Sequence, residues 1–262
     1  MSFTLSANAN LLFGLDDPVA AVTRAANLEL EAIEYWGLDV GDPAELRAAC
    51  ESTGVSVSAS TCVGVAANTQ DSGPGLTDPA CYASARDDIE RSVALATERN
   101  IDTLVVTVGP DLPDTSPGTE HRAIVDALRA GAPIAEDHDI NLVIEPLNRR
   151  VDHQGYYLNR SYEAYEIVDA VNSPAVSVLF DVYHQQITEG NVIQNLTNHL
   201  EYVGYVHIAD VPGRHQPGTG ELAYDRILDA LATAGYDGYV GLEYAPTTDP
   251  ASSIEAVREL LG

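Results

Sequence analysis

With 262 residues and 45% hydrophobic side chains, the chain can bury a sizeable core, which excludes intrinsic disorder. Its formal net charge is -27, and its 13 basic residues are all arginine. Such a charge opposes binding to nucleic acid or an anionic membrane, and the lack of lysine excludes Schiff-base chemistry.

The first segment, "FTLSAN" (3–8), reads as a strand. "MSFTLSANAN" has neither a basic stretch nor a long apolar run, so no signal peptide is expected. "PVAAVTRAANLE" follows and opens with proline after aspartate, a helix start. "AIEYWG" (32–37) is the second strand, and "PAELRAACEST" repeats the Asp-Pro helix start. "VSVSAST" (55–61) and "TLVVTVG" (103–109) are strands three and four, followed by the helices "ARDDIERSVALATERN" and "EHRAIVDALRAGAPIAED". The Gly/Pro/Asp-rich stretches 63–80 and 109–119 read as long loops of the kind that fold over an active site. Strands five to eight are "NLVIEPL" (141–147), "VSVLFDV" (176–182), "VGYVHIAD" (203–210) and "YVGLEYA" (239–245). Their helices are "SYEAYEIVDAVN", "NVIQNLTNHLE", "YDRILDALATAG" and "SSIEAVRELL".

Eight βα units predict a parallel sheet with right-handed crossovers, and at this length a single (β/α)8 TIM barrel over 1–262. A doubly wound sheet competes, but "LSANANLLFG" carries no G-x-G-x-x-G. No run approaches 18 apolar residues, so no membrane span is expected. Cys50, Cys62 and Cys81 lack paired metal spacing and point to a reducing cytoplasm. The acids are scattered ("DDIE", "TERN", "AEDHD"), which suits a solvated coat. The coat points to a halophilic protein whose self-repulsion is screened by salt; an ordinary acidic enzyme is the plainer reading.

TIM-barrel sites lie at the C-terminal ends of the strands. There strand five offers Glu145, strand six Asp181, strand seven His207 and strand eight Glu243. Each alone has a plain explanation: a loop ion pair for Glu145, a helix cap for Asp181, a core position for His207. Four at equivalent strand ends are harder to place without a shared cation, because unpaired buried charge is costly. Three carboxylates and one imidazole suit one divalent ion such as Mg²⁺, Mn²⁺ or Co²⁺. Such an ion polarises a carbonyl, and two glutamates can then move a proton. His184, one turn beyond Asp181, could reach a substrate oxygen or be a surface histidine. Arg214, in "PGRHQPG", suits a substrate carboxylate or hydroxyl, or an ion pair with Glu221 or Asp210. His215 assists or closes the loop.

"VIEPLN", "GYYLN", "FDVYHQQ", "HIADVPGRHQPGTGE" and "GYDGYVGLEYAP" together resemble the hydroxypyruvate isomerases of the xylose-isomerase-like sugar isomerase/epimerase superfamily. "ANANLLF" resembles that family's first strand, so the resemblance spans essentially the whole chain. It implies one divalent metal on Glu145, Asp181, His207 and Glu243, with Glu145 and Glu243 as the acid–base pair. It implies His184 and Arg214 at substrate oxygens, and hydroxypyruvate converted to 2-hydroxy-3-oxopropanoate through a cis-enediol. It also implies a homo-oligomer. Tyr35 and Trp36 are expected to shape the pocket, and with the 63–80 loop they depart from the family pattern. A ketose 3-epimerase or 2-oxo-acid isomerase with the same ligands is therefore the first alternative. A metal-dependent DNA-repair endonuclease is a distant one, because strands three and four offer Cys62 and Thr107 where that class has histidines. A binding protein without catalysis is the third, opposed by the presence of both glutamates.

Overall fold

Helix starts follow the chemistry of their first residues. The Asp17, Asp42 and Asp249 carboxylates each accept a backbone N–H from the first turn of helices that open at Pro18, Pro43 and Pro250. Ser116 does the same before Pro117. The left-handed C-caps at Gly54, Asn100 and Asn172 end three helices where the chain turns back toward the sheet.

The structure is a computed structural model that describes residues 2–69 and 73–261. Its barrel strands are β1 (Thr4–Asn8), β2 (Ala32–Tyr35), β3 (Ser56–Thr61), β4 (Thr103–Val108), β5 (Asn141–Ile144), β6 (Val176–Asp181), β7 (Val203–Ile208) and β8 (Tyr239–Leu242). All neighbouring pairs are parallel. Ser60 opposite Leu104 and Thr61 opposite Val105 join β3 to β4 and close the ring. A closed ring leaves no strand edge exposed, and it brings β5 to β8 side by side with their C-terminal ends at one mouth.

Two apolar layers hold this shape. The larger lies between strands and helices and includes Ile33, Leu104, Ile124, Leu128 and Phe180. Each such buried side chain contributes about 1.5–3 kcal/mol relative to exposure. The smaller takes one residue from each of β3 to β7, namely Ala59, Val105, Val143, Leu179 and Tyr205, and fills the inside of the barrel.

The eight expected strands are present; β1 and β3 end where expected, and the other six end one to three residues earlier. Two short helices, Ala9–Phe13 and Val182–Thr188, lie outside the helical stretches read from the sequence, although the second is the one that a capping Asp181 implies. "NVIQNLTNHLE" forms only a helix over Val192–Thr197 and a 3-10 turn over Leu200–Tyr202. The 63–80 stretch is more ordered than a plain loop. It holds 3-10 turns at Gly64–Ala66 and Pro79–Cys81, with Ala67–Asn68 pairing beside β4, while residues 70–72 lie outside the described ones. Among the described residues no helix is long and apolar enough to cross a membrane.

Candidate active site

The four expected ligands meet. One ligand atom from each of Glu145, Asp181, His207 and Glu243 lies within 4.8 Å of the others, and all four residues are buried. Asp181 ends β6, His207 lies in β7, and Glu145 and Glu243 are the first residues beyond β5 and β8. The centre of the group is His207 Nδ1, 3.2 Å from Glu243 Oε2, 3.6 Å from Glu145 Oε1 and 4.0 Å from Asp181 Oδ2.

Hydrogen bonding leaves this point open. His207 Nε2 faces Glu34 Oε2 at 3.0 Å, and a carboxylate can only accept from it. The Nε2 proton is thereby fixed, so Nδ1 is the nitrogen left to meet a cation. Both Nδ1 and Glu145 Oε1 are buried without any hydrogen-bond partner. A cation about 2.1 Å from each ligand needs ligand atoms about 3–4 Å apart, the range in which the three carboxylates lie from His207 Nδ1. A histidine whose other N–H goes to a carboxylate is also the usual arrangement of a metal ligand. The donor set therefore fits one divalent ion.

Crowding and burial shift how these groups hold their protons. Burial pushes the Glu145 carboxyl above its ordinary value against the pull of His207. Burial and Glu243 push Asp181 up to about 7. Burial also opposes charge on Glu243, but His207 and Arg214 outweigh it and hold that carboxyl well below the usual carboxylate range. On His207 burial opposes the imidazolium, and Glu243 and Glu34 outweigh it in turn, so the ring keeps its proton well above the ordinary range.

Asp181 serves both of its readings: Oδ1 accepts the His184 N–H at 3.0 Å and caps the helix, while Oδ2 turns to the cluster. His184 is no surface histidine but is fully buried. Its Nδ1 accepts the Asn148 backbone N–H at 3.2 Å, so Nε2 carries the proton. That N–H has no partner and sits 3.7 Å from Asp181 Oδ2. Burial and Arg214 together hold this ring well below its ordinary pKa, hence neutral.

Arg214 pairs with neither Glu221 nor the Asp210 carboxylate. Its Nη2 contacts Glu243 Oε2 at 2.5 Å, its guanidinium carbon lies 5.3 Å over the Tyr183 ring, and its Nε is buried without a partner. The loop that carries it is fixed from inside. Asp210, fully buried, accepts the backbone N–H groups of Val211, Gly218, Gly220 and Leu222. The loop is also tied to the segment after β8: Ala245 N donates to Arg214 O, and Gln216 bonds Thr247. His215 closes the loop, with Nδ1 2.8 Å from Ala245 O.

A cavity of about 320 Å³ opens over this group. Glu145, His207, Glu243 and Arg214 line it, as do the expected Tyr35 and Trp36; Asp181 and His184 are not in its wall. Thr107 lines it too, with an unpartnered buried hydroxyl, whereas Cys62 does not. Among the lining residues that sequence reasoning missed are Asn8, Glu34 and His153. The available signal for Glu34 was an acid inside an otherwise apolar strand. His153 sits on a loop that nothing in the sequence pattern links to the barrel mouth.

Residues 22–261 match the family model described as "Xylose isomerase-like TIM barrel". The chain is 30% identical over 250 residues to the hydroxypyruvate isomerase of Escherichia coli (strain K12), covering 93% of each chain. It is 33% identical over 184 residues to the 2-oxo-tetronate isomerase of Cupriavidus necator, covering 70% of each. It superposes on a Brucella melitensis structure described as an AP endonuclease, family 2, with a TM-score of 0.89 over 98% of each chain; at 24% identity this is a likeness of fold.

Proposed function

The chain belongs to the xylose isomerase-like TIM-barrel family, and from there we propose that it is a divalent-metal-dependent isomerase of small 2-oxo acids. Hydroxypyruvate and 2-hydroxy-3-oxopropanoate are the substrate pair favoured. The observation that carries this reading is the joint placement of Glu145 and Glu243. Both are buried, both line one cavity, and both share a point with the free Nδ1 of His207.

Glu145, Asp181, His207 and Glu243 would hold the ion. When bound, it supplies Lewis-acid stabilisation of the negative charge that develops on the enediolate. One glutamate takes a proton from the hydroxymethyl carbon, and the other delivers a proton to the neighbouring former carbonyl carbon. The hydroxyl proton passes to the former carbonyl oxygen, so the cis-enediol links ketone and aldehyde with no net change in atoms. Arg214 has one nitrogen committed to Glu243, and its unpartnered Nε–H is the group for the substrate carboxylate. His184, neutral and with an orphaned Nε2–H, is a second donor to a substrate oxygen.

The cavity favours a second reading within the same chemistry. Its lining includes Asn8, Thr61, Thr69 and Thr107, polar groups beyond those a three-carbon acid needs. A longer 2-oxo acid or a ketose, isomerised or epimerised, would use them. An endonuclease reading gains no such support: among the described residues there is one group of metal-binding side chains, with one histidine in it.

The test is turnover by the purified protein in molar KCl with Mg²⁺, Mn²⁺ or Co²⁺, offering hydroxypyruvate, longer 2-oxo acids and ketoses. Metal-dependent conversion of hydroxypyruvate is expected. Turnover of only a longer substrate moves the substrate to the second reading, and no turnover of any contradicts the isomerase.

A further inference from the structure

Below the ligand cluster, hydroxyl groups run along the inside of the barrel with no part in the reaction described above. Ser6 Oγ lies 2.6 Å from Ser58 Oγ, which lies 2.7 Å from Tyr205 Oη. Tyr205 Oη donates to Glu34 Oε2 at 2.6 Å. That same oxygen faces His207 Nε2 at 3.0 Å, and Asn8 Nδ2 donates to the other at 3.1 Å. Ser6, Asn8, Glu34, Ser58, Tyr205 and His207 are all buried.

Donor arithmetic gives the line a direction. Glu34 only accepts, so the single Tyr205 proton goes to it, and the phenol oxygen is left to accept from Ser58, whose one proton is shared between Tyr205 and the Ile33 carbonyl 3.0 Å away. Glu34 then receives Tyr205, His207 and Asn8 and has no freedom to turn.

Three local departures from regular barrel geometry serve this line. Pairing of β2 with β3 puts Ile33 opposite Val57 and Glu34 opposite Ala59, so Ser58 is an extra, bulged residue. The bulge brings the Ser58 hydroxyl to Tyr205. Gly241, opposite His207 in β8, makes the second departure. A Cβ there would stand 2.5 Å from His207 Cδ2 and 2.7 Å from Glu34 Oε2, so only glycine leaves room for this pair. Third, the Tyr205 ring meets the His207 ring edge-on, with centroids 5.3 Å apart and planes at 88°.

We propose that Tyr205 is a positioning residue for the metal centre: it fixes Glu34, Glu34 fixes the His207 ring, and Nδ1 is thereby aimed at the point shared with the three carboxylates. The inference rests on the metal-dependent reading of the site. The plainer alternative is that Tyr205 only fills the barrel, where it packs with Val105, Leu179 and Tyr239.

Mn²⁺ titration of the full-length protein, with free ion counted by its electron paramagnetic resonance signal, separates the two. Tyr205→Phe is expected to weaken Mn²⁺ binding roughly 10-fold and Glu34→Ala up to about 100-fold. The double variant should bind no more weakly than Glu34→Ala, because Tyr205 acts through Glu34. A lowered melting temperature of metal-free Tyr205→Phe with unchanged Mn²⁺ affinity would mean packing alone and overturn the proposal. Additive losses in the double variant would also overturn it. Should Glu34→Ala fail to fold, Ser58→Ala takes its place: it must weaken binding in the wild-type background and not in Tyr205→Phe. Wild-type protein that binds no Mn²⁺ would overturn the metal-dependent reading together with this one, whereas wild-type binding with Tyr205→Phe unaffected overturns this one alone.

Discussion

His207 commits one ring nitrogen to Glu34 and turns the other toward three carboxylates, at the point where a cation would sit. Glu243 and Glu34 outweigh burial and keep the ring's proton well above the ordinary histidine range, while burial and Glu243 raise Asp181 to about 7. Ligation requires neutral imidazole and ionised carboxylate, so both protons must leave. Metal affinity should therefore rise with pH through neutrality, with about one to two protons released per ion below pH 7. Titration calorimetry in buffers of different ionisation enthalpy reads that number; no buffer dependence would contradict it. The glutamates carry a second expectation. Glu145→Gln and Glu243→Gln should each lower kcat by about 10²–10⁴ while the melting temperature holds. That these four side chains would meet was legible because β5 to β8 repeat one position at whole βα spacing. Glu34 was not, because its link to His207 joins residues 173 apart and exists only once the ring closes.

At the scale of elements, the segment after β7 shows how a loop can be as fixed as a strand. Four backbone N–H groups converge on the buried Asp210 carboxylate, and the segment after β8 holds Arg214 and Gln216 from the other side. Gly220 passes so close that a Cβ would stand 2.5 Å from Asp210 Oδ1. Asp210→Ala removes the acceptor for all four and should cost about 2–4 kcal/mol, or roughly 5–15 °C in melting temperature. Because Arg214 rides on this loop, KM for an acidic substrate should rise more than kcat falls; steady-state kinetics checks the split. "ADVPGRHQPGTGE" announced an unusual loop, but not that Asp210 is its anchor. The barrel itself was legible, since period-2 and period-3.6 patterns alternate eight times. The helix Val182–Thr188 was absent from the periodic stretches because "VYHQQIT" is too short and polar to show a period; Asp181 starts it by capping.

Across the whole molecule the acids divide into two populations. Glu34, Glu120, Glu145, Asp181, Asp210 and Glu243 are buried and have specific tasks or partners, while the other described acids lie at or near the surface. With a net charge of -27 and only arginines to oppose it, the folded surface repels itself at low salt. Thermal unfolding should therefore move up by several degrees between low and molar KCl; equal melting temperatures would contradict the halophilic reading. The barrel mouth gathers the few groups proposed to act, with Glu145 and Glu243 moving a carbon-bound proton beside a metal. Solvent deuterium incorporation tests this most directly, with hydroxypyruvate incubated in deuterated water with Mn²⁺ and either wild-type protein or the Glu145→Gln/Glu243→Gln double variant. Mn²⁺-dependent deuterium at the hydroxymethyl carbon with wild type, lost in the variant, is the predicted result. Incorporation that ignores the metal or survives the loss of both glutamates would contradict this mechanism.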